Sequence, residues 1–219
     1  PRLIHEYRAI HASEQLPAFV HASTPSYSGT HMDGFHEAVL ALVRTFANER
    51  SRNCSVNIFP GLVSPADIRY LKEVLTDFNL AYRMIPDYSD SLDNPNWNDY
   101  TRIPEGGIPL ESISEAGSAS ASIEFGSVFN KGNLSGKSRS KTRQTGGEYL
   151  QEALLVKNHQ IRLPIGIRST DEFFSLLEKF SGNLTPLHHM RERGRLVDAY
   201  VDGHKQVFGK RAAVYGEED

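Results

Sequence analysis

Several things this 219-residue chain lacks exclude whole classes of protein. It has one cysteine, Cys54. A single thiol rules out an intrachain disulfide framework, and also any metal cluster held by several cysteines of this chain alone. Ahead of the apolar run VNIF, Cys54 is expected to be a small buried residue. No apolar stretch approaches the roughly 20 residues that span a bilayer, and the N-terminus lacks the charged-then-apolar order of a signal peptide. A cytoplasmic protein without a membrane partner is the expectation. Lys and Arg number 24 against 27 Asp and Glu, so no overall basic field recommends a nucleic-acid partner. No G-x-S-x-G elbow is present, which leaves a triad hydrolase unsupported. The pairs Gly106-Gly107 and Gly146-Gly147 sit in no phosphate-loop frame and read as turns.

What the chain does have is alternation. Apolar runs of four to six residues take turns with helical patterns, the signature of βαβ units and a mainly parallel sheet. Strands are predicted at Ala18–His21, Ser55–Phe59, Ala81–Ile85, Ala121–Phe125 and Ile161–Pro164. Helices are predicted at His31–Asn48, Ser64–Phe78, Leu110–Ala116, Gly147–Val156 and Thr170–Phe180. Ser64-Pro65-Ala66-Asp67 pairs a serine cap with proline at the first helical position, and Thr170-Asp171-Glu172 puts acids where they complement a helix dipole. The fold class is therefore α/β, a Rossmann-like or flavodoxin-like open parallel sheet flanked by helices. A longer helical pattern from Thr185 to Phe208 leads out of it toward a further domain.

The ends suggest a piece of something longer. Leu3, Ile4, Tyr7 and Ile10 fall at helical spacing from the first residue, and Ala212–Tyr215 reads as an opening strand. The expected organisation is the tail of a preceding domain over 1–16 and a middle α/β domain over 17–165. A helical connection over 166–209 and the first strand of a truncated following domain over 210–219 complete it.

Two constellations carry possible chemistry. In the first, the run TPSYSGTH (24–31) places small oxygen side chains where a strand hands over to a helix, and such turns favour anionic partners. Thr24, Ser26, Ser28 and Thr30 equally serve to satisfy the backbone N–H groups of the turn. In the second, Asp198 and Asp202 stand four apart on one helical face, where like charges repel unless a cation neutralises them. Carboxylate oxygens suit a hard cation such as calcium, magnesium or iron(II). The alternative is pairing with Arg193, Arg195, His204 or Lys205. His31 and His36 are read as capping or packing residues, and His188-His189 as surface or interface residues, since adjacent helical positions diverge. The segment Ser127–Arg143 carries five basic residues and no acid. It is expected to be a flexible loop rather than a nucleic-acid contact.

Five motifs in order, TPSYSGTHMDG (24–34), VNIFPG (56–61), IPEGGIPLESI (103–113), LPIGIRSTDEFF (163–174) and ERGRLVDAYVDGHKQVFGKRAAVYGEED (192–219), resemble the β subunits of nitrogenase component 1, the molybdenum-iron protein. The resemblance is weak between about 126 and 160. It implies a subunit of an α2β2 nitrogenase that meets an α subunit, a second β subunit and the iron protein. It also implies an [8Fe-7S] P-cluster at the α/β contact, which relays electrons to an iron-molybdenum cofactor in the α subunit for reduction of dinitrogen to ammonia. On this resemblance Ser26 is a P-cluster contact, its companion cysteines lying outside this chain, and Asp198 and Asp202 belong to a mononuclear metal site between β subunits. The chain alone is then expected to hold no cluster and to be inactive. A cofactor-assembly homologue or a nitrogenase-like reductase of the same fold is the alternative, and a scaffold without redox centres lies outside both.

Overall fold

The computed structural model describes residues 2–12, 16–24, 30–48, 51–90, 107–126, 144–213 and 215. The sheet has four parallel strands: β1 (Val56–Phe59), β2 (Tyr82–Met84), β3 (Ala121–Phe125) and β4 (Lys157–Ile161). Their spatial order is β2-β1-β3-β4, with Val56 beside both Tyr82 and Ala121, and Ala121 beside Lys157. Order reverses between β1 and β3, which makes the carboxyl ends of these two strands the topological switch point.

Among the described residues seven α-helices accompany the sheet: α1 (Arg2–Ile10), α2 (His31–Phe46), α3 (Pro65–Asp77), α4 (Leu110–Ser114), α5 (Gly146–Leu154), α6 (Gly166–Ser181) and α7 (Leu187–Val207). A 3₁₀ turn, Glu115–Ser118, continues α4 into β3. Strand alternation divides the core between the two faces. Val56, Ile58, Ile123 and Phe125 pack with Ile68, Leu71, Val74 and Leu75 of α3, with Phe78 just beyond it, and with Phe173 and Leu177 of α6. Phe59 points the other way, with Val39 and Val43 of α2 and Leu150 of α5. This is the doubly wound arrangement expected from the alternation.

Helix starts follow local chemistry. Thr30, Ser64 and Thr145 each accept from the backbone N–H three residues on, and Asp33, Asp67 and Glu148 return the bond, three complete capping boxes. At the far end of α6, Gly182 takes the left-handed conformation (φ 71°) and its N–H bonds back to Glu178 O.

Five expectations need correction. Ala18–His21 is irregular, because no strand among the described residues pairs with it; Phe19 instead meets the ring of Tyr7 in α1 edge-on at 5.6 Å. The last strand is the polar run Lys157–Ile161 rather than Ile161–Pro164, since the ladder with β3 and not apolarity selects it. Helix α6 begins at Gly166, a turn before Thr170, whose hydroxyl donates to Pro164 O rather than capping the helix. Cys54 is exposed. The described residues of the Ala212–Tyr215 run are likewise irregular and exposed. Among the described residues no helix is long and apolar enough to cross a membrane.

Candidate functional site

The start of α2 stands at the carboxyl-end rim of the sheet. Asn48, just beyond the end of α2, donates its N–H to Ser114 O at the amino-end side, while Phe35 near the start of α2 meets Tyr88 beyond β2 edge-on at 6.4 Å. The helix therefore runs against the strands, and its first residues reach the rim where open α/β sheets gather ligands. Thr30 caps the helix, and a Cβ on Gly34 would lie 3.9 Å from Thr24 Cγ2, so both flanks of the turn are packed against its first turns. Ser26 itself, with residues 25–29, lies outside the described residues, as does the basic segment Ser127–Arg143. The rim receives no thiol from Cys54. That residue precedes β1 at the opposite edge, beyond the 16-residue α2, about 24 Å of helix.

Asp198 and Asp202 are both exposed on α7. The arginines expected as their partners are engaged elsewhere. Arg193 holds Asp171 of α6 through Nε and Nη2 at 2.7 and 2.8 Å, and Arg195 bonds Glu192. The Arg193 fork lowers the Asp171 carboxyl below the usual carboxylate range. Only His189 of α7 is buried. Leu187, Met190, Leu196, Tyr200, Val201 and Val207 all stand exposed along it.

Sequence reasoning missed two constellations. On the α2/α5 face of the sheet, Glu124 is 4% exposed, and its Oε2 accepts from Thr145 Oγ1 (2.7 Å), Asn158 Nδ2 (2.8 Å) and Gln160 Nε2 (3.3 Å). Asn57 and Ser122 extend the polar row across the register and bond each other at 3.2 Å. A run of polar residues inside otherwise apolar strands was the available signal. The second lies where α3 ends. His188 and His189, expected to diverge, both bring Nε2 to Asp77 Oδ2, at 3.0 and 2.9 Å. His189 is 5% exposed and belongs to the core, not to the surface. His36 is buried on α2, as a packing role requires.

Comparison with known proteins places these features in a family. The family model described as nitrogenase component 1 type oxidoreductase matches residues 1–219. The nitrogenase molybdenum-iron protein beta chain of Clostridium pasteurianum is 32% identical over 201 residues, covering 91% of this chain and 41% of that one. The nitrogenase iron-molybdenum cofactor biosynthesis protein NifN of Bradyrhizobium diazoefficiens is 29% identical over 211 residues, 94% of this chain and 42% of that one. The solved structure titled nitrogenase Cp1 at pH 6.5 superposes with a TM-score of 0.81 at 29% identity, covering 96% of this chain and 43% of that chain. The chain thus spans about two fifths of the length of the relatives it matches. With its four-stranded parallel sheet and flanking helices, it belongs to the nitrogenase component 1 type oxidoreductases.

Proposed function

We propose that this chain is part of a nitrogenase component 1 β subunit, in which the Thr24–His31 turn forms one wall of a P-cluster pocket and α7 meets a second β subunit. The observation that carries the reading is the 32% identity to a molybdenum-iron protein beta chain along 91% of the chain. In the intact α2β2 protein, bound clusters supply electron relay from the iron protein to the iron-molybdenum cofactor of the α subunit.

This chain's own residues fit a cluster only in part. Ser26 offers an oxygen, a harder donor than thiolate and suited to more oxidised iron. Cys54, exposed at the opposite edge, offers no thiolate to that rim. Cluster ligands other than Ser26 therefore come from outside this chain, and what the chain supplies is the start of α2 at the rim, held by the Thr30–Asp33 box and by Thr24 against Gly34. The exposed apolar side chains of α7 suit a subunit contact, and Asp198 and Asp202 stand free of Arg193 and Arg195 to ligate a hard cation there. The domain organisation that goes with this reading is a middle α/β domain over 17–165 and a helical connection over 166–209.

A cofactor-assembly role is the second reading, supported by 29% identity to NifN over 94% of the chain. Metal analysis and electron paramagnetic resonance of the assembled α2β2 protein separate them. The β-subunit reading expects Ser26→Ala to alter the oxidised P-cluster signal, and Asp198→Asn with Asp202→Asn to lose one metal per β–β contact while the P-cluster stays. An unchanged oxidised signal in Ser26→Ala, or loss of the P-cluster with the mononuclear metal retained in the double variant, overturns it.

A further inference from the structure

The C-terminus of α3 and the N-terminus of α7 meet in a cluster that the nitrogenase reading does not use. Asp77 is the last residue of α3, and His188 and His189 lie in the first turn of α7. One ring nitrogen from each histidine and a carboxylate oxygen of Asp77 all lie within 4.8 Å of one another. The shortest separations, 2.9 and 3.0 Å, converge on the single atom Oδ2.

The rings are held rather than loose. His189 stacks on Phe78, with centroids 6.4 Å apart and planes at 15°, and meets Phe174 edge-on at 5.3 Å. That packing aims Nε2 of the buried ring outward at Asp77. His188 lies over it with centroids 4.0 Å apart and is itself 59% exposed. The cluster thus has a packed floor and an open side.

Asp77 places a carboxylate at the C-terminal, negative end of the α3 dipole, where a nearby cation is favoured. Tyr70, two turns back on the same face of α3, has its phenol pushed up by burial and then by Glu192, Glu73 and Asp77.

We propose that Asp77, His188 and His189 form a binding site for a divalent transition-metal ion of the zinc type. Two imidazole nitrogens and one carboxylate oxygen are a donor set that zinc and cobalt accept, with a fourth position left for water. Ligands at tetrahedral positions about 2.0 Å from such an ion stand about 3.3 Å apart. The ion enters by replacing the two Nε2···Oδ2 hydrogen bonds and widening each by a few tenths of an ångström. Each ring then carries its proton on Nδ1 and gives its Nε2 lone pair to the metal. The bound ion staples α7 to α3, and so ties the long helix to the sheet domain. The site is separate from Asp198, which lies nine residues beyond His189, about 14 Å along α7. It rests on this geometry alone and stands whether or not the β-subunit reading holds.

The test is a cobalt(II) titration of the chelator-treated 219-residue chain, followed by visible absorption and thermal melting. The expected result is one equivalent of cobalt with the ligand-field bands of a four- or five-coordinate ion, displaced by zinc, and a higher Tm with either metal. His188→Ala removes an exposed ring, and Asp77→Asn removes the carboxylate charge. Each should weaken cobalt binding about tenfold or more with an unchanged circular dichroism spectrum. Asp198→Asn with Asp202→Asn, and Cys54→Ser, should leave the titration as it was. Absence of the bands at neutral pH, equal affinity in the parent and His188→Ala, or loss of the bands in the Asp198/Asp202 or Cys54 variants would overturn the proposal.

Discussion

Lys72 Nζ lies 2.9 Å from Asp87 Oδ2, joining the middle of α3 to the segment that leaves the carboxyl end of β2. Ser89 completes the knot, its hydroxyl donating to Asp87 Oδ1 at 2.6 Å, while Arg69 reaches Ser89 O at 2.8 Å. Both charged groups are partly buried, so the pair is worth somewhat more than a surface contact and is more costly to break on one side. Burial pushes the Asp87 carboxyl up, but hydrogen bonds from Ser89 and Lys72 outweigh it and hold the group below its usual range. For Lys72, burial pulls down and the bond to Asp87 wins, leaving the ammonium raised.

The signs give a two-sided pH dependence. Asp87, lowered in the folded state, contributes stability above the unfolded carboxylate range, and this is lost as pH falls through its folded value. Lys72, raised in the folded state, contributes below the unfolded lysine value and is lost as pH rises through its folded one. Asp87→Asn should flatten both limbs of the stability profile and cost about 1–3 kcal/mol at neutral pH, because Lys72 keeps its charge without a counterion. Urea midpoints across pH measure this. An identical profile for parent and variant refutes it.

Glu124 is expected to pin the first turn of α5 to the sheet. Glu124→Ala leaves the Thr145 hydroxyl and the Asn158 and Gln160 amides without their shared acceptor, a loss of about 1–3 kcal/mol. Faster amide exchange in α5, with α3 on the opposite face unaffected, would locate the damage. Uniform acceleration across both faces would argue for a general loss of packing instead.

Gly117 should tolerate no side chain. A Cβ there would stand 2.0 Å from Asn48 O and 2.9 Å from Leu154 Cδ1, so Gly117→Ala must push α2 and its following loop off the 3₁₀ turn. The expected destabilisation is about 1–3 kcal/mol, as for overpacking elsewhere, read as a lowered denaturation midpoint. A midpoint equal to the parent's would mean that the backbone at Asn48 yields without cost.

The amino-acid order by itself determined whatever rests on neighbouring residues. Alternation of apolar runs and helical patterns specified the parallel α/β class, and β3 fell on Ala121–Phe125 as predicted, because every residue of that strand is buried. The serine cap and proline at Ser64-Pro65 placed the start of α3 for the same local reason. Ladder partners and burial are not local, and there the tertiary structure decided. Ala18–His21 has strand-like residues but no partner strand among the described residues, whereas polar Lys157–Ile161 becomes a strand because β3 offers a ladder. Cys54, read as buried from its neighbours, faces solvent. His188 and His189 diverge on a helical projection, yet they converge once α3 delivers Asp77 between them from 111 and 112 positions away. Helical periodicity describes where side chains leave the axis; where two long rings can end depends on the acceptor a distant element brings.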